Sequence, residues 1–377
     1  MQRNKFKLYF ILFTFFICFS TLNAQNGKGN SVEATFYFGK IIKHHDFLRF
    51  DVPDSSLGVN LNYTFQTHGR QSWNELQNYP LFGIALFYYN FGNNEVLGHA
   101  ISICPNLAIY LYRNKKFCVK GQIGAGPAYL NKPFDRLDNP DNNAIGSHIN
   151  INLNFSFYAD WRLNPQWALN AGFCLTHYSN ASAQAPNYGI NMPALTLGAK
   201  FTPKPLKSED YIEHETSKKP DKRFGINLHI GLAAKEIQSV GGPSYPVYSV
   251  TSEGMFYLNK VNRASLGLEY EYNKAAYVFG QHVYEFDSEK EARRQSNRIM
   301  IYVADEFLFG HLGLKVQLGI YLTKDPILAP YLIYNKWGFF YHFSKFGKSN
   351  TSLYIGSNIK THIYVADYVS LDFGVTF

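Results

Sequence analysis

The chain has 377 residues, of which 17% are aromatic and 17% charged, and 36 Lys and Arg against 28 Asp and Glu give a net charge of +8. That basic excess is too mild to signal nucleic-acid binding. No run of about 20 apolar residues follows the N-terminal region, which argues against a helical membrane protein.

The N-terminus carries Arg3, Lys5 and Lys7, then an apolar run from Leu8 to about Leu22, then Asn23-Ala24-Gln25. This is the pattern of a secretory signal peptide over residues 1–24, cleaved after Ala24. Its removal takes three basic residues and no acidic one, so the net charge falls from +8 to +5. Cys18 follows Phe16-Ile17 and not the small residues of a lipidation site. Cys104, Cys118 and Cys174 are odd in number and lie inside strand patterns, so they read as small apolar residues, not as disulfide or metal partners. A secreted chain rich in Phe and Tyr, yet moderate in mean hydropathy, fits transmembrane β-strands, whose two faces average out. A soluble β-sandwich array would leave similar strand signals.

In chain order, residues 32–41, 56–67, 80–90, 100–112, 117–130, 148–162, 167–179 and 194–201 read as eight strands. The sixth is the clearest. Ile149, Ile151, Leu153, Phe155 and Phe157 alternate with His148, Asn150, Asn152, Asn154 and Ser156. An apolar wall around a polar lumen predicts that alternation. The connections 113–116 and 164–166 are short, whereas 42–55, 91–99, 131–147 and 180–193 are long, with 68–79 the one exception to strict alternation. Outer-membrane barrels have short periplasmic turns and long extracellular loops. The N-terminus is then periplasmic and odd strands run outward. His44-His45-Asp46 in the first long loop looks like a fragment of a metal site, but adjacent histidines in an open loop are ordinary solvated residues. No metal or cofactor is expected.

The seventh strand holds the candidate site. Trp167, Leu169, Ala171, Phe173 and Leu175 share one parity, and His177 and Ser179 continue it. An imidazole and a hydroxyl thus project from one apolar face, roughly 7 Å apart by strand rise. Burying such a pair costs free energy unless it has partners or a use. The strand direction puts both at the outer end, on the lipid face, near the outer-leaflet headgroups.

Residues 203–222 are charged and lack a strand pattern, and read as a linker or a long periplasmic turn. Residues 223–377 again fit eight strands and look like a diverged copy. VKGQIG at 119–124 recurs as LKVQLG at 314–319, Thr176-His177 as Thr361-His362, and Leu195–Phe201 as Leu371–Phe377. Tyr364 stands where a second Ser179 would be. The architecture is therefore all-β: a transmembrane antiparallel β-barrel protein of two tandem eight-stranded barrels, over 25–202 and 223–377. One sixteen-stranded barrel is the alternative. The final Phe377, in phase with Leu371, Phe373 and Val375, resembles the insertion signal of outer-membrane proteins.

His177-Tyr178-Ser179-Asn180 and the loop Pro186-Asn187-Tyr188-Gly189-Ile190-Asn191 resemble the PagL family of lipid A 3-O-deacylases, most closely the longer acyloxyacyl hydrolase-like members of Bacteroidetes. The resemblance covers roughly 32–201 and includes GRQSW at 69–73, NYPLFG at 78–83, NNEVLG at 93–98, NKPFD at 131–135 and AIGSHIN at 144–150. It implies an outer-membrane esterase that removes the 3-position acyl chain of lipid A, with lipopolysaccharide and membrane lipid as partners, no cofactor, and oligomeric state left open. It also implies His177 as base, Ser179 as nucleophile and Asn180 at the oxyanion hole.

One departure stands out. The family places a Glu fourteen residues after the His, where this chain has Asn191. An amide oxygen can still accept from an imidazole and orient it, as in Cys-His-Asn enzymes. Asp135 or Asp138 of the 131–147 loop could serve instead. A second H-x-S, His342-Phe343-Ser344, falls at the periplasmic end by the strand count and lacks the following Asn. Arg70 and Trp73 fit a folding role in their turn. The competing reading is a non-catalytic barrel: a small pore, an adhesin, or a remnant that binds a partner.

Overall fold

The computed structural model describes residues 27–44, 46–214, 219–237, 240–282, 288–323, 327–329, 331–343, 351–363 and 365–377. The signal peptide, His45, Ser344 and Tyr364 lie outside the described residues. The alternating segments form sixteen antiparallel strands in two closed barrels. The first comprises β1 (Ser31–Gly39), β2 (Ser56–Gln66), β3 (Leu81–Asn90), β4 (His99–Arg113), β5 (Phe117–Leu130), β6 (Ile149–Arg162), β7 (Trp167–Ser179) and β8 (Ile190–Phe201). β1 pairs with β8 from Val32 opposite Phe201 to Gly39 opposite Ala194, which closes the sheet. The second comprises β9 (Phe224–Glu236), β10 (Ser244–Asn259), β11 (Asn262–Asn273), β12 (Asn297–Phe309), β13 (Leu312–Tyr321), β14 (Ile333–His342), β15 (Ser352–His362) and β16 (Val365–Thr376), and closes by β16 on β9. The tandem arrangement holds, and the single sixteen-stranded barrel does not.

The wall of the first barrel exposes Phe36, Phe38, Leu61, Phe157, Leu195 and Leu197, and that of the second Ile226, Ile230, Val250, Leu266 and Leu268. Contiguous apolar surface of this extent is foreign to water-soluble monomers and usual for barrels in lipid.

The first lumen changes character along its axis. Near the short turns, Lys120 lies 3.0 Å from Asp160 and 3.5 Å from Glu33, and Lys200 lies 2.9 Å from Asp160. Buried amides fill the middle, where Asn152 donates to the Ser102 hydroxyl at 2.7 Å and Asn154 to the Thr176 hydroxyl at 3.2 Å. At the long-loop end the filling is apolar. Tyr37, Phe87, Tyr89, Phe91 and Tyr178 pack with Leu48, Phe50, Leu97, Ala144 and Ile145 from the loops. The alternation predicts a polar lumen; the mouth is apolar because three long loops fold into it and need a core of their own.

The charged segment after β8 is also more than a linker. Gly29 N donates to Lys204 O at 2.7 Å, Ile212 N to His68 O at 2.9 Å, and the His214 imidazole to Gly69 O at 2.6 Å. Residues 204–214 thus strap the short-turn end of the first barrel.

The second lumen is ionic. Lys315 pairs with Glu253 at 2.6 Å, Arg263 with Glu306 at 2.7 Å, and both Arg298 and Lys360 with Glu271 at 3.0 and 2.5 Å. Lys120, Gln122 and Gly124 of β5 and Lys315, Gln317 and Gly319 of β13 all face inward from the fifth strand of their barrels, so that repeat match is structural. The match of Leu195–Phe201 with Leu371–Phe377 holds likewise in β8 and β16. The match of Thr176-His177 with Thr361-His362 is out of phase. His362 is buried in the lumen against the Tyr321 hydroxyl at 2.8 Å, because its parity is opposite to that of His177.

Each barrel is closed by its own strands, so each should unfold as its own unit. Glu271→Ala would leave Arg298 and Lys360 buried and unpaired, a loss of about 3–5 kcal/mol. Trp337 emission, reporting β14, should show a lowered unfolding midpoint, while Trp161 and Trp167 of the first barrel keep theirs.

Candidate active site

The short turn after β6 starts β7 in a register that runs unbroken to its end, with Leu153 opposite His177 and Ile151 opposite Ser179. On the other side His177 lies directly opposite Asn191 of β8. Unbroken pairing keeps parity, so His177, Ser179 and Asn191 all face the outer wall. Side chains directly opposite on one face meet. His177 Nδ1 donates to Asn191 Oδ1 at 2.6 Å, and Nε2 accepts from the Ser179 hydroxyl at 2.8 Å. With its hydrogen on Nδ1, the neutral ring offers a lone pair to the serine.

β8 begins at Ile190, four residues before the expected 194, and Asn191 is therefore a strand residue. Pro193 made this stretch look like loop. Its carbonyl accepts from Lys40 N at 3.3 Å, so its missing N–H also faces the β1 side, where β1 has ended at Gly39. A proline is tolerated where no ladder partner is lost.

The outward residues of β7 are exposed from Trp167 to Leu175, then His177 is half-buried and Ser179 only 3% exposed. The loop after β7 folds back over them. Asn180 N donates to Asn187 Oδ1 at 2.9 Å, and Asn180 Nδ2 to the Ser147 hydroxyl at 3.0 Å. The backbone N–H and one side-chain N–H of the expected oxyanion residue are therefore engaged. The same bond fixes the Asn187 amide with its oxygen toward Asn180, and among the described residues Asn187 Nδ2 has no protein partner. In the sequence, Asn187 is marked only by its place in the motif loop.

The loop acids do not reach the imidazole. Asp135 accepts from Leu137 N at 2.8 Å and Asp138 N at 3.0 Å, and these donors hold its carboxyl below the usual carboxylate range. His44 is not simply solvated: its ring nitrogens lie 3.0 Å from Ile42 O and 2.9 Å from Tyr188 O. His342 points into the second lumen and meets Glu306 at 2.7 Å. Leu195 pairs with Phe173, and its counterpart Leu371 with Ser357. Counting along β15 from there, Thr361 and Ile363 stand where His177 and Ser179 stand in the first barrel. The second barrel carries neither group at that place.

Residues 57–200 match the family model of lipid A 3-O-deacylase (PagL), and residues 223–377 match that of the acyloxyacyl hydrolase C-terminal domain. Among solved structures, the chain is similar to the outer membrane enzyme PagL, at 16% identity over 45% of this chain and 97% of that one, with a TM-score of 0.31. It is similar to Neisserial surface protein A at 11% identity over 46% and 97%, with a TM-score of 0.31. It is similar to Ail, the attachment invasion locus protein of Yersinia pestis, at 11% identity over 46% and 98%, with a TM-score of 0.27. No curated protein matches the chain.

The ring's tautomer is open to direct measurement. Nitrogen-15 NMR of the imidazole in micelles should show His177 neutral with hydrogen on Nδ1. Asn191→Ala, which removes the acceptor, should convert it to a mixture of tautomers without changing barrel closure.

Proposed function

We propose, from the premise that this chain belongs to the PagL lipid A 3-O-deacylase and acyloxyacyl hydrolase family of ester hydrolases, that its first barrel removes the 3-position acyl chain of lipid A in the outer membrane. In this reading Ser179 is the nucleophile, His177 the general base and Asn191 the residue that orients the base. The observation that carries it is the Asn191–His177–Ser179 relay, at 2.6 and 2.8 Å, on the apolar outer wall. A serine hydroxyl is a weak nucleophile and needs a base within hydrogen-bond reach.

The chemistry runs in two stages. Ser179 Oγ attacks the ester carbonyl while His177 Nε2 takes its proton. The tetrahedral oxyanion collapses, the sugar hydroxyl leaves with the proton from His177, and an acyl-serine remains. Water, deprotonated by the same nitrogen, attacks the acyl-serine, Ser179 Oγ leaves with the proton returned by His177, and the fatty acid is released. Each oxyanion donor is worth about 3 kcal/mol in well-studied cases. Here that task falls to the Asn180–Asn187 pair. Asn180 N–H would have to trade Asn187 Oδ1 for the oxyanion, whereas Asn187 Nδ2 has no partner among the described residues. The acyl chain would lie along the wall past Leu175 and Phe173, both exposed. The membrane then supplies the apolar part of the binding site.

The pore alternative draws no support from the lumens. Arg298, Lys336, Lys360, Tyr302, Tyr334 and Tyr368 are fully buried inside the second barrel, and Tyr37, Tyr89 and Phe91 inside the first.

Lipid A mass spectrometry at matched outer-membrane levels tests the assignment. Ser179→Ala and His177→Ala should each abolish loss of the ester-linked chain in a barrel that still inserts, since both side chains face away from the lumen core. Asn191→Glu should maintain or raise activity, because a carboxylate better holds the imidazolium formed during attack. Deacylation by Ser179→Ala at the wild-type rate would overturn the nucleophile assignment and favour the non-catalytic barrel.

A further inference from the structure

The geometry points to Gly189 as a positioning residue for His177, set in place by a clamp of three loops centred on Asn143. This rests on the reading of His177 as the general base. Gly189 has φ of +81°, a conformation that L side chains rarely adopt. A Cβ there would lie 2.8 Å from His177 Cε1, 3.6 Å from His177 Nε2 and 3.2 Å from Tyr178 O. The first of these is closer than van der Waals contact allows. Cε1 sits between the two ring nitrogens, so the imidazole is bounded on three sides: by Asn191 at Nδ1, by Ser179 at Nε2, and by the bare α-carbon of Gly189 between them. A methyl group at 189 would push the ring along its own plane and lengthen both hydrogen bonds together.

Gly189 does not hold this place alone. Its N–H donates to Ala144 O at 2.9 Å, and Tyr188 N lies 3.5 Å from Asn143 O. Asn143, itself buried, donates from Nδ2 to Phe47 O at 2.6 Å and accepts at Oδ1 from Arg49 N at 3.2 Å. The His44 ring, from the same loop as Phe47 and Arg49, meets Tyr188 O at 2.9 Å. The β1–β2, β5–β6 and β7–β8 loops are thereby tied through one asparagine, and the tie ends at the α-carbon against the imidazole. Displacement of a reacting group by about 1 Å can cost on the order of 100-fold in rate.

The test reads the ring and the reaction separately. Full-length protein in micelles carries Gly189→Ala, or Asn143→Ala, which loosens the clamp and leaves residue 189 unchanged. Gly98→Ala is the control, a positive-φ glycine of the β3–β4 loop (φ +64°) whose Cβ would meet Asn131 and Lys132 and not His177. Expected for Gly189→Ala are shifted His177 nitrogen-15 resonances and a kcat for acyl release from lipid A down about 100-fold, with KM within twofold. Asn143→Ala should change both in the same direction by less, and Gly98→Ala neither. If Gly189→Ala fails to fold, Asn143→Ala alone decides by the same two readouts. Unchanged His177 resonances in a folded variant would overturn the proposal even if the rate fell. Shifted resonances in a protein whose wild type releases no acyl chain would uphold the placement of the ring and overturn the esterase reading instead.

Discussion

Closing eight antiparallel strands leaves each strand residue two choices, lumen or wall, and the choice alternates without exception as long as pairing is regular. Every functional feature of the first barrel depends on this. His177 and Ser179 are two apart, so they share a face; Asn191 is opposite His177, so it shares that face too. A single bulge in β7 or early β8 would send one of the three into the lumen. The second barrel shows the consequence. The β15–β16 register shifts between Lys360 and Thr361, and at the shift Asp367, with no residue opposite it on β15, is buried and paired with Lys235 inside the barrel. The hairpin that would have presented a second relay to the wall turns its polar groups inward.

The two lumens answer the same demand differently. Polar groups removed from water need partners. The first barrel meets this mainly with neutral amides and hydroxyls, the second with ion pairs. Ion pairs carry a desolvation cost that their attraction only roughly offsets, so the second lumen is not thereby the more stable. It is the more exacting, since each cation has a designated anion and Glu271 serves two. The first barrel instead spends apolar residues at the mouth, where Leu48, Phe50, Leu97, Ala144 and Ile145 anchor the loops. A platform for positioned side chains requires loops held this way.

Strand positions, barrel count and the outward parity of His177 and Ser179 were legible because alternation is local and barrels tolerate few breaks in it. What lay beyond the sequence had specific causes. Pro193 looked like a loop residue, because nothing local says that β1 stops at Gly39 and frees the adjacent strand of its ladder partner. Residues 204–214 looked like a linker because their anchors, Lys204, Ile212 and His214, bind through the backbone or single side chains and show no period. The phase error at Thr361-His362 arose from matching letters one residue out of step along β15, whose alternation is unbroken. Asn143 and Gly189 act through a shared loop geometry that a chain read one residue at a time does not display.

Asn191 in place of a carboxylate has a physical rationale in the same geometry. Position 191 faces an apolar wall beside a half-buried imidazole. With the imidazole neutral at rest, a glutamate there would be an unpaired charge against lipid, which costs free energy until the ring takes a proton. The amide oxygen still accepts from Nδ1 at 2.6 Å and so selects the tautomer that leaves Nε2 free for the serine. In the proposed reaction it gives up part of the stabilisation of the imidazolium that forms later. Under that proposal the relay keeps the orientation that a carboxylate would impose and exchanges some transition-state stabilisation for a neutral resting site. Under the proposed mechanism a charge at 191 would add to rate by holding the imidazolium and subtract from barrel stability by its desolvation while the ring is neutral.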